Sequence, residues 1–293
     1  MRRRLKLNIA IAAFLLFAAL AVAFILKNDK GNTYNIEREP VPSQSTTGTN
    51  QPQPKDGTDS EEPAQPAPES EKEADLSSLV EKYRGKDIVK VNTTQKAVAL
   101  TFDAGANADG VDRILPILEE NNIRGTFFLT GKFIEKYPDK VRKIVATGGD
   151  IGNHTYDHPY LTHLSVDGMK AEIKGAEDAF VKIDGKFDPF LRAPYGDRNQ
   201  SVLDTVSESG YINIRWTVDS LGWKGTSGGM SKASVEQKVL KNTSPGVIIM
   251  MHLGSNPDDK THLDSEALPA IIEKLRADGY EFKTLSGLLE MSE

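Results

Sequence analysis

The stretch Ala-Val-Ala-Leu-Thr-Phe at residues 97–102 is a short, mostly apolar run, and the carboxylate Asp103 follows it directly. A strand that is covered on both faces has this composition, because neither of its faces meets water. In residues 109–122, which come next, the apolar side chains recur at the spacing of a helix. The stretch therefore predicts a buried strand that leads into a helix, which is the repeating unit of a parallel sheet.

The same alternation continues to the C-terminus. Strands are predicted at residues 126–129, 189–192, 212–218, 247–251 and 280–284, and helices around Phe133 and at 141–146, 166–183, 201–208, 235–240, 265–277 and 285–291. Repeated β–α units predict an α/β fold whose parallel sheet is either open or closed into a barrel. In both versions the chemistry lies at the carboxyl ends of the strands.

Polar residues stand at the ends of several predicted strands, namely Asp103, Arg192, Asp219 and His252, and His154 follows a short Gly-flanked segment. A lone polar residue at a strand end is often only a cap. Five such residues in corresponding positions make that explanation poor. Their placement therefore favours an enzyme with its site at this edge of the sheet.

His154 and His158 are four residues apart, which predicts that both imidazoles lie on one face of a helical turn. Two histidines with one oxygen donor and an open position form a catalytic zinc arrangement. The alternative is two surface histidines. The metalloprotease pattern HExxH is excluded, because Thr155 stands where its glutamate would be. The chain has no cysteine, which excludes thiolate ligands and leaves His, Asp and Glu.

The N-terminus predicts export. Four basic residues within the first six precede an apolar run at residues 9–26, so residues 1–27 are predicted to be a signal peptide or membrane anchor. The run continues past a possible cleavage site at 21–23, which favours an uncleaved anchor with a cytoplasmic N-terminus. Residues 28–75, rich in Pro, Ser and Glu, are predicted to be a disordered linker. The folded domain is predicted at 76–293, with a short helix first and an extracytoplasmic location.

Composition limits the partners. The chain has 293 residues, 38% of them hydrophobic, and a net charge of −6. This is typical of a soluble globular domain with room for one sizeable core. An acidic balance argues against nucleic acid as a partner, since phosphate binding requires a basic patch. We therefore predict no nucleic-acid partner.

Five motifs together resemble one family. In chain order they are Thr101-Phe102-Asp103-Ala104-Gly105, His154 with His158, Arg192-Ala193-Pro194-Tyr195-Gly196, Asp219 to Trp223, and Met250-Met251-His252. This set resembles the NodB-homology domain of the polysaccharide deacetylases, carbohydrate esterase family four. The resemblance covers roughly residues 96–289, and the motifs are highly specific as a set. It implies a distorted (β/α) barrel and a metal-dependent N-deacetylase of N-acetylated glycans.

The resemblance also implies a role for individual residues. Asp103 would be the general base, and Arg192 would orient it through a charge-assisted hydrogen bond. His252 would protonate the leaving amine. His154 and His158 would hold the metal, for which zinc is the first choice and cobalt, nickel and manganese are alternatives.

The substrate would be held by a further group of residues. The backbone N–H of Tyr195 would bind the oxyanion. Trp223 would form an apolar wall for the acetyl methyl group or a sugar face, and Pro194 is assigned to the substrate side with them.

Two positions depart from the family pattern. Ala104 stands where a second Asp usually supplies the third metal ligand, which predicts weaker metal binding, with water or an oxygen of Asn107 or Asp109 in its place. Gly222 stands where an Asp commonly tunes the acid histidine, and Asp219 is the candidate for that role.

The predicted function is removal of N-acetyl groups from N-acetylglucosamine or N-acetylmuramic acid units of a cell-wall glycan. An anchor, a spacer and a hydrolase domain favour peptidoglycan as the substrate. Two alternatives remain open: an esterase that acts on O-acetyl groups, as on xylan, and a glycan-binding pseudoenzyme. The retained base, acid and arginine favour catalysis.

Overall fold

The computed structural model of the protein describes residues 69–293. The predicted signal peptide or anchor at 1–27 and the predicted linker up to residue 68 lie outside the described residues. Between residues 69 and 293, no helix has both the length and the hydropathy needed to cross a bilayer. Helix α1, Glu69–Tyr83, includes most of the helix predicted to open the domain and begins earlier, within the predicted linker.

In the described part of the chain, nine strands form one sheet, and each named strand runs parallel to its neighbours. They are β1 Asp87–Ile88, β2 Ala97–Ala104, β3 Thr126–Leu129, β4 Asp150–Asn153, β5 Phe190–Leu191, β6 Ile212–Ile214, β7 Val218–Asp219, β8 Val247–His252 and β9 Glu281–Lys283. The order across the sheet is β1-β6-β5-β4-β3-β2-β8-β7, and β9 pairs with β2. The predicted α/β fold with a parallel sheet is confirmed.

The connection between β6 and β7 shows that the sheet is curled. The prediction of one strand at 212–218 was wrong, because β6 and β7 lie towards opposite ends of the sheet. Only residues 215–217 join them, a span of about 14 Å of extended chain. Within that span Arg215 N–H donates to Ile88 O at 2.7 Å and Thr217 N–H to Ile248 O at 2.9 Å. The two ends of the sheet therefore nearly meet, which gives the predicted distorted barrel.

Eight further helices follow in the described chain: α2 Val111–Glu120, α3 Gly131–Lys136, α4 Pro138–Ala146, α5 Val166–Val181, α6 Gln200–Glu208, α7 Lys232–Lys241, α8 Leu263–Ala277 and α9 Leu285–Glu290. Several begin at a short polar residue whose side chain accepts a first-turn N–H group; these caps are Thr130, Ser165, Asn199, Ser231 and Thr284. Such caps satisfy backbone donors that the helix itself leaves unpaired.

Side chains of β2 alternate between two apolar clusters. Leu100 and Phe102 belong to a large cluster with the surrounding helices, and Ala97 and Ala99 belong to a smaller one with residues of α1 and α9. Because side chains on a strand alternate with a period of two, Asp103 continues the line of Ala97 and Ala99. The central strand therefore brings this carboxylate to its carboxyl end on the face of the smaller cluster.

Candidate active site

A cavity of about 540 Å³ lies at the carboxyl ends of the strands. Most of the predicted site residues line it: Asp103, His154, His158, Tyr195, Asp219, Trp223 and His252. The sequence therefore correctly placed the polar residues at one edge of the sheet. Lining residues that sequence reasoning did not single out include Trp216 and Ser255.

Two predicted residues lie behind the cavity wall. Arg192 has no exposed surface, and Pro194 is also buried, so neither lines the cavity. For Arg192 this agrees with an orienting role. The assignment of Pro194 to the substrate side needs correction, because this residue opens the 3₁₀ turn Pro194–Gly196 and lies beneath the surface.

Asp103 and His252 are direct neighbours across the sheet. Strands β2 and β8 pair so that the Cα of Asp103 is opposite that of His252. His154 comes directly after β4, and its Nε2 lies 3.7 Å from Asp103 Oδ2. Three strands thus place a carboxylate and two imidazoles together, although these residues are far apart along the chain.

Arg192 holds Asp103 firmly. Its Nη1 donates to Asp103 Oδ1 at 2.6 Å and to Thr101 Oγ1 at 3.0 Å, and its Nη2 donates to Arg215 O at 3.0 Å. The guanidinium also lies over the ring of Phe128, 4.0 Å from the ring centre. Burial alone would raise the pKa of Asp103, but the charge and hydrogen bond of Arg192, helped by His154 and His252, lower that pKa below its ordinary value. Asp103 is therefore ionised at neutral pH.

The segment between the two histidines is not the helical turn that the sequence predicted. Thr155 and His158 have φ angles of 66° and 60°, which are left-handed. Two physical causes act against a helix here. The Glu172 carboxylate of α5 accepts the backbone N–H groups of the two residues after Thr155, at 3.0 and 2.8 Å. Pro159 disfavours helical backbone at the residue before it. The imidazoles still meet, with ring centres 4.8 Å apart.

Both histidines are neutral. Nδ1 of His154 lies 2.7 Å from the carbonyl oxygen of Arg192, so it donates its proton there and leaves Nε2 as a lone-pair donor. Burial lowers the pKa of His154. Burial is the main cause that lowers the pKa of His158 to about 4, and the nearby His154 lowers it as well, because two imidazolium groups this close would repel each other. Neutral imidazoles are the form that binds a metal ion.

The donor set fits a metal ion through two imidazoles. Within residues 69–293 no group of three His, Asp or Glu side chains that could hold a metal is present. Ala104 is fully buried in the large apolar cluster. Asn107 and Asp109, the candidates for the missing oxygen, contact a neighbouring loop: they accept hydrogen bonds from Ser255 N–H and Ser255 Oγ, at 2.9 and 2.7 Å. Their role as ligands stays a prediction.

The carboxylate beside His252 is one that the sequence did not indicate. Asp219 accepts hydrogen bonds from the Leu221 N–H at 2.8 Å and from Trp223 Nε1 at 3.4 Å, so it holds the Trp223 loop. Asp264 lies against His252 instead, with Oδ2 3.8 Å from Nδ1. An acidic residue in the first turn of a helix is common, because its negative charge interacts favourably with the positive end of the helix dipole. The sequence therefore carried no signal that singled out Asp264.

Exposed aromatic rings stand at the mouth of the cavity. Tyr195 is 56% exposed and Trp223 is 44% exposed. Tyr195 has a left-handed backbone, with φ of 60°, and its ring stacks on Tyr160 with ring centres 4.1 Å apart. Exposed aromatic faces beside a polar cavity suit a ligand that has both apolar and hydroxylated surfaces.

Comparison with known proteins agrees with this geometry. The family model described as "Polysaccharide deacetylase" matches residues 90–214. The peptidoglycan-N-acetylglucosamine deacetylase of Bacillus cereus is 34% identical over 215 residues, which are 73% of this chain and 75% of that protein. The chain belongs to the polysaccharide deacetylase family. The family predicted from the five motifs is thereby confirmed.

Two further relatives of this polysaccharide deacetylase family member are informative. The peptidoglycan-N-acetylmuramic acid deacetylase PdaA of Bacillus subtilis is 32% identical over 215 residues, which cover 73% of this chain and 78% of that protein. The crystal structure of a carbohydrate esterase family four pseudoenzyme from Bacillus anthracis matches with a TM-score of 0.66 and 26% identity, over 73% of this chain and 72% of that chain. The family fold thus occurs both in named deacetylases and in a named pseudoenzyme.

Proposed function

We propose that this member of the polysaccharide deacetylase family hydrolyses the acetamide of N-acetylglucosamine or N-acetylmuramic acid units in peptidoglycan. The observation that supports this best is the register of β2 and β8, which brings Asp103 and His252 to the same cavity. Hydrolysis of an amide needs a base for the water and an acid for the leaving nitrogen. The deacetylase relatives support peptidoglycan as the substrate.

The two proton transfers are divided between Asp103 and His252. Asp103 accepts a proton from the attacking water, while Arg192 keeps the carboxylate ionised and fixes its orientation. Nδ1 of His252 is buried, which leaves Nε2 as the nitrogen that gives a proton to the departing amine. The backbone N–H of Tyr195 stabilises the oxyanion that forms between these steps.

His154 and His158 are the residues that would hold the metal, with zinc as the first choice for two imidazoles. A bound ion supplies a lowered pKa for the water and polarisation of the acetamide carbonyl. The carbonyl of Arg192 fixes the orientation of the His154 ring for this role. Because Ala104 stands in place of a carboxylate, the two neutral imidazoles give the ion no negatively charged side-chain ligand, whereas an aspartate would add one.

The cavity mouth supports recognition of a glycan. Trp223 and Tyr195 present exposed rings that pack against the apolar faces of sugar units. The indole of Trp223 is held in place by the hydrogen bond that its Nε1–H donates to Asp219 Oδ2. A cell-wall substrate also agrees with the predicted export of the chain and with an extracytoplasmic location. The uncleaved N-terminal anchor stays a prediction.

Acetate release tests the proposed function. The full-length chain is incubated with peptidoglycan, N-acetylglucosamine oligomers and O-acetylated xylan, with and without added zinc, cobalt, nickel or manganese. We expect metal-dependent release of acetate and free amine from the N-acetylated substrates, and none in Asp103→Asn. Acetate from xylan alone would identify an O-acetyl esterase instead. Glycan binding without any acetate would identify a pseudoenzyme, for which Ala104 is the specific reason.

Zinc binding is expected to depend on both histidines. His154→Ala and His158→Ala should each weaken zinc affinity by more than about 100-fold, because each removes one of two side-chain ligands. Isothermal titration of zinc into the full-length chain measures this. His163→Ala, an exposed histidine that does not line the cavity, is the matched control and should leave the affinity unchanged. Equal affinity in all three variants would contradict the assignment.

A further inference from the structure

His252 has a buried nitrogen that lacks a partner. Its side chain is 27% exposed, yet among residues 69–293 its Nδ1 has no hydrogen bond and no solvent contact. A histidine that donates a proton from Nε2 needs a partner at Nδ1, because that partner fixes the tautomer and the ring orientation. The structure must therefore supply an acceptor close to Nδ1.

Asp264 is the carboxylate nearest to that nitrogen. It lies in the first turn of α8 and is 3% exposed. Its Oδ2 accepts the backbone N–H of His252 at 3.0 Å and lies 3.8 Å from Nδ1, while its Oδ1 is also buried without a partner in the described structure. Burial raises the pKa of Asp264, and the nearby His252 opposes that rise. Burying Nδ1 of His252 and Oδ1 of Asp264 without hydrogen bonds costs free energy. A small side-chain rotation that pairs the carboxylate with Nδ1 is therefore favourable.

The Asp264 carboxylate occupies the space that a side chain at residue 222 would need. A Cβ atom added at Gly222 would lie 2.3 Å from Asp264 Oδ1 and 2.5 Å from the carboxyl carbon. No side chain at residue 222 can therefore coexist with the observed position of Asp264. The volume beside His252 holds one carboxylate, which the chain supplies from α8 and not from the residue before Trp223.

We propose that Asp264 is the positioning residue of His252 and that Gly222 is the substitution that makes room for it. Asp264 accepts a hydrogen bond from the Nδ1–H group of His252, which keeps that proton on Nδ1 and directs Nε2 towards the leaving nitrogen. When His252 acts as the acid it is the imidazolium, with a proton on each ring nitrogen. As the C–N bond of the substrate breaks, the Nε2 proton moves to that nitrogen, and the Nδ1 proton stays and leaves the neutral Nδ1–H tautomer. The inference rests on the proposed function for the reaction itself, but the pairing is a property of the chain alone.

A reciprocal exchange tests the pairing. Asp264→Asn, which keeps the side-chain shape, should lower kcat on N-acetylglucosamine oligomers by about 10–100-fold and leave KM within about twofold. Asp264→Ala should lose at least as much. The double variant Gly222→Asp/Asp264→Ala should recover at least about tenfold in kcat over Asp264→Ala, because it returns one carboxylate to the same volume. A purely structural role for Asp264 would not produce that recovery.

The tautomer of His252 gives a readout that needs no turnover. In the full-length chain with ¹⁵N-labelled histidine, and with His252→Gln used to assign the signal, we expect the neutral form of His252 to carry its one proton on Nδ1. Asp264→Asn should shift the population towards Nε2–H, and the double variant should restore it. Asp150→Asn, another buried carboxylate near a helix start, is the matched control, since it accepts hydrogen bonds from the N–H and Oγ of Ser286 and does not line the cavity.

An unchanged kcat and an unchanged tautomer in Asp264→Asn would overturn the proposal, as would a double variant no better than Asp264→Ala. If the wild-type chain releases no acetate but Asp264→Asn shifts the tautomer, the proposed function fails and the pairing stands. If the wild-type chain releases acetate and substitution of Asp264 changes neither kcat nor the tautomer, the proposed function stands and the pairing fails.

Discussion

His252→Gln is expected to lower kcat on an N-acetylated glycan by about 10²–10⁴-fold, which is the usual contribution of a general acid. The amine that leaves an acetamide is a poor leaving group without a proton. An aryl acetate releases a phenolate that needs no proton, so on that substrate the same variant should lose less than about tenfold. Acetate release measured on both substrates separates the acid from every other role in the cavity.

The comparison has a built-in control. Asp103→Asn removes the acceptor of the water proton, which both substrates require, so it should lower both rates together. His252 is partly exposed, and its loss removes little packing, which thermal unfolding of the variant can verify. An equal loss on amide and ester in a folded His252→Gln variant would show that His252 does not protonate the leaving group.

Arg192→Met is expected to destabilise the folded chain by about 3–5 kcal/mol, because it leaves the Asp103 carboxylate buried without its cation. Arg192 is among the largest fully buried side chains in the described structure. Urea unfolding followed by circular dichroism measures the loss. Lys182→Met breaks an exposed ion pair of similar length, with Glu135 at 2.8 Å, and should cost no more than about 1 kcal/mol.

The pH dependence identifies the cause of that loss. In the wild-type chain the lowered pKa of Asp103 contributes stability above the ordinary carboxyl pKa of 3.8, and this is lost as the pH falls through the folded-state pKa. In Arg192→Met the guanidinium no longer lowers the pKa of Asp103, so burial, which is the largest single cause, raises that pKa instead. The variant's deficit should therefore shrink between about pH 7 and about pH 5, as Asp103 takes up a proton. A deficit that is the same at both pH values would point to lost packing.

A second variant keeps the argument testable if Arg192→Met fails to fold. Arg192→Met/Asp103→Leu replaces both charges by apolar groups and should recover most of the lost stability, although it has no base and should release no acetate. A double variant as unstable as the single one would contradict the interpretation that the unpaired carboxylate is the cause.

Prediction from the sequence succeeded where a local pattern has one structural meaning. The apolar run before Asp103 and the helical spacing after it predicted a parallel sheet, and the five motifs predicted the family. It failed where the tertiary structure or a neighbouring residue overrode the local pattern. The strand expected at 212–218 is interrupted, because residues 215–217 must bridge the two ends of the curled sheet. The turn between His154 and His158 is not helical, because Glu172 and Pro159 outweigh the spacing.

The sequence alone determined the strand–helix alternation and the edge of the sheet where the polar residues meet, which follow from residue type and from spacing along one segment. The motifs also predicted the family, and the acid, base and metal-ligand roles proposed for individual residues come from that resemblance. Only the tertiary structure decided how the partners pair: that Asp219 holds Trp223, and that Asp264 lies in the space left by Gly222 beside His252. Such pairing depends on contacts between residues distant in the chain, and their direction and reach are fixed only when the barrel closes.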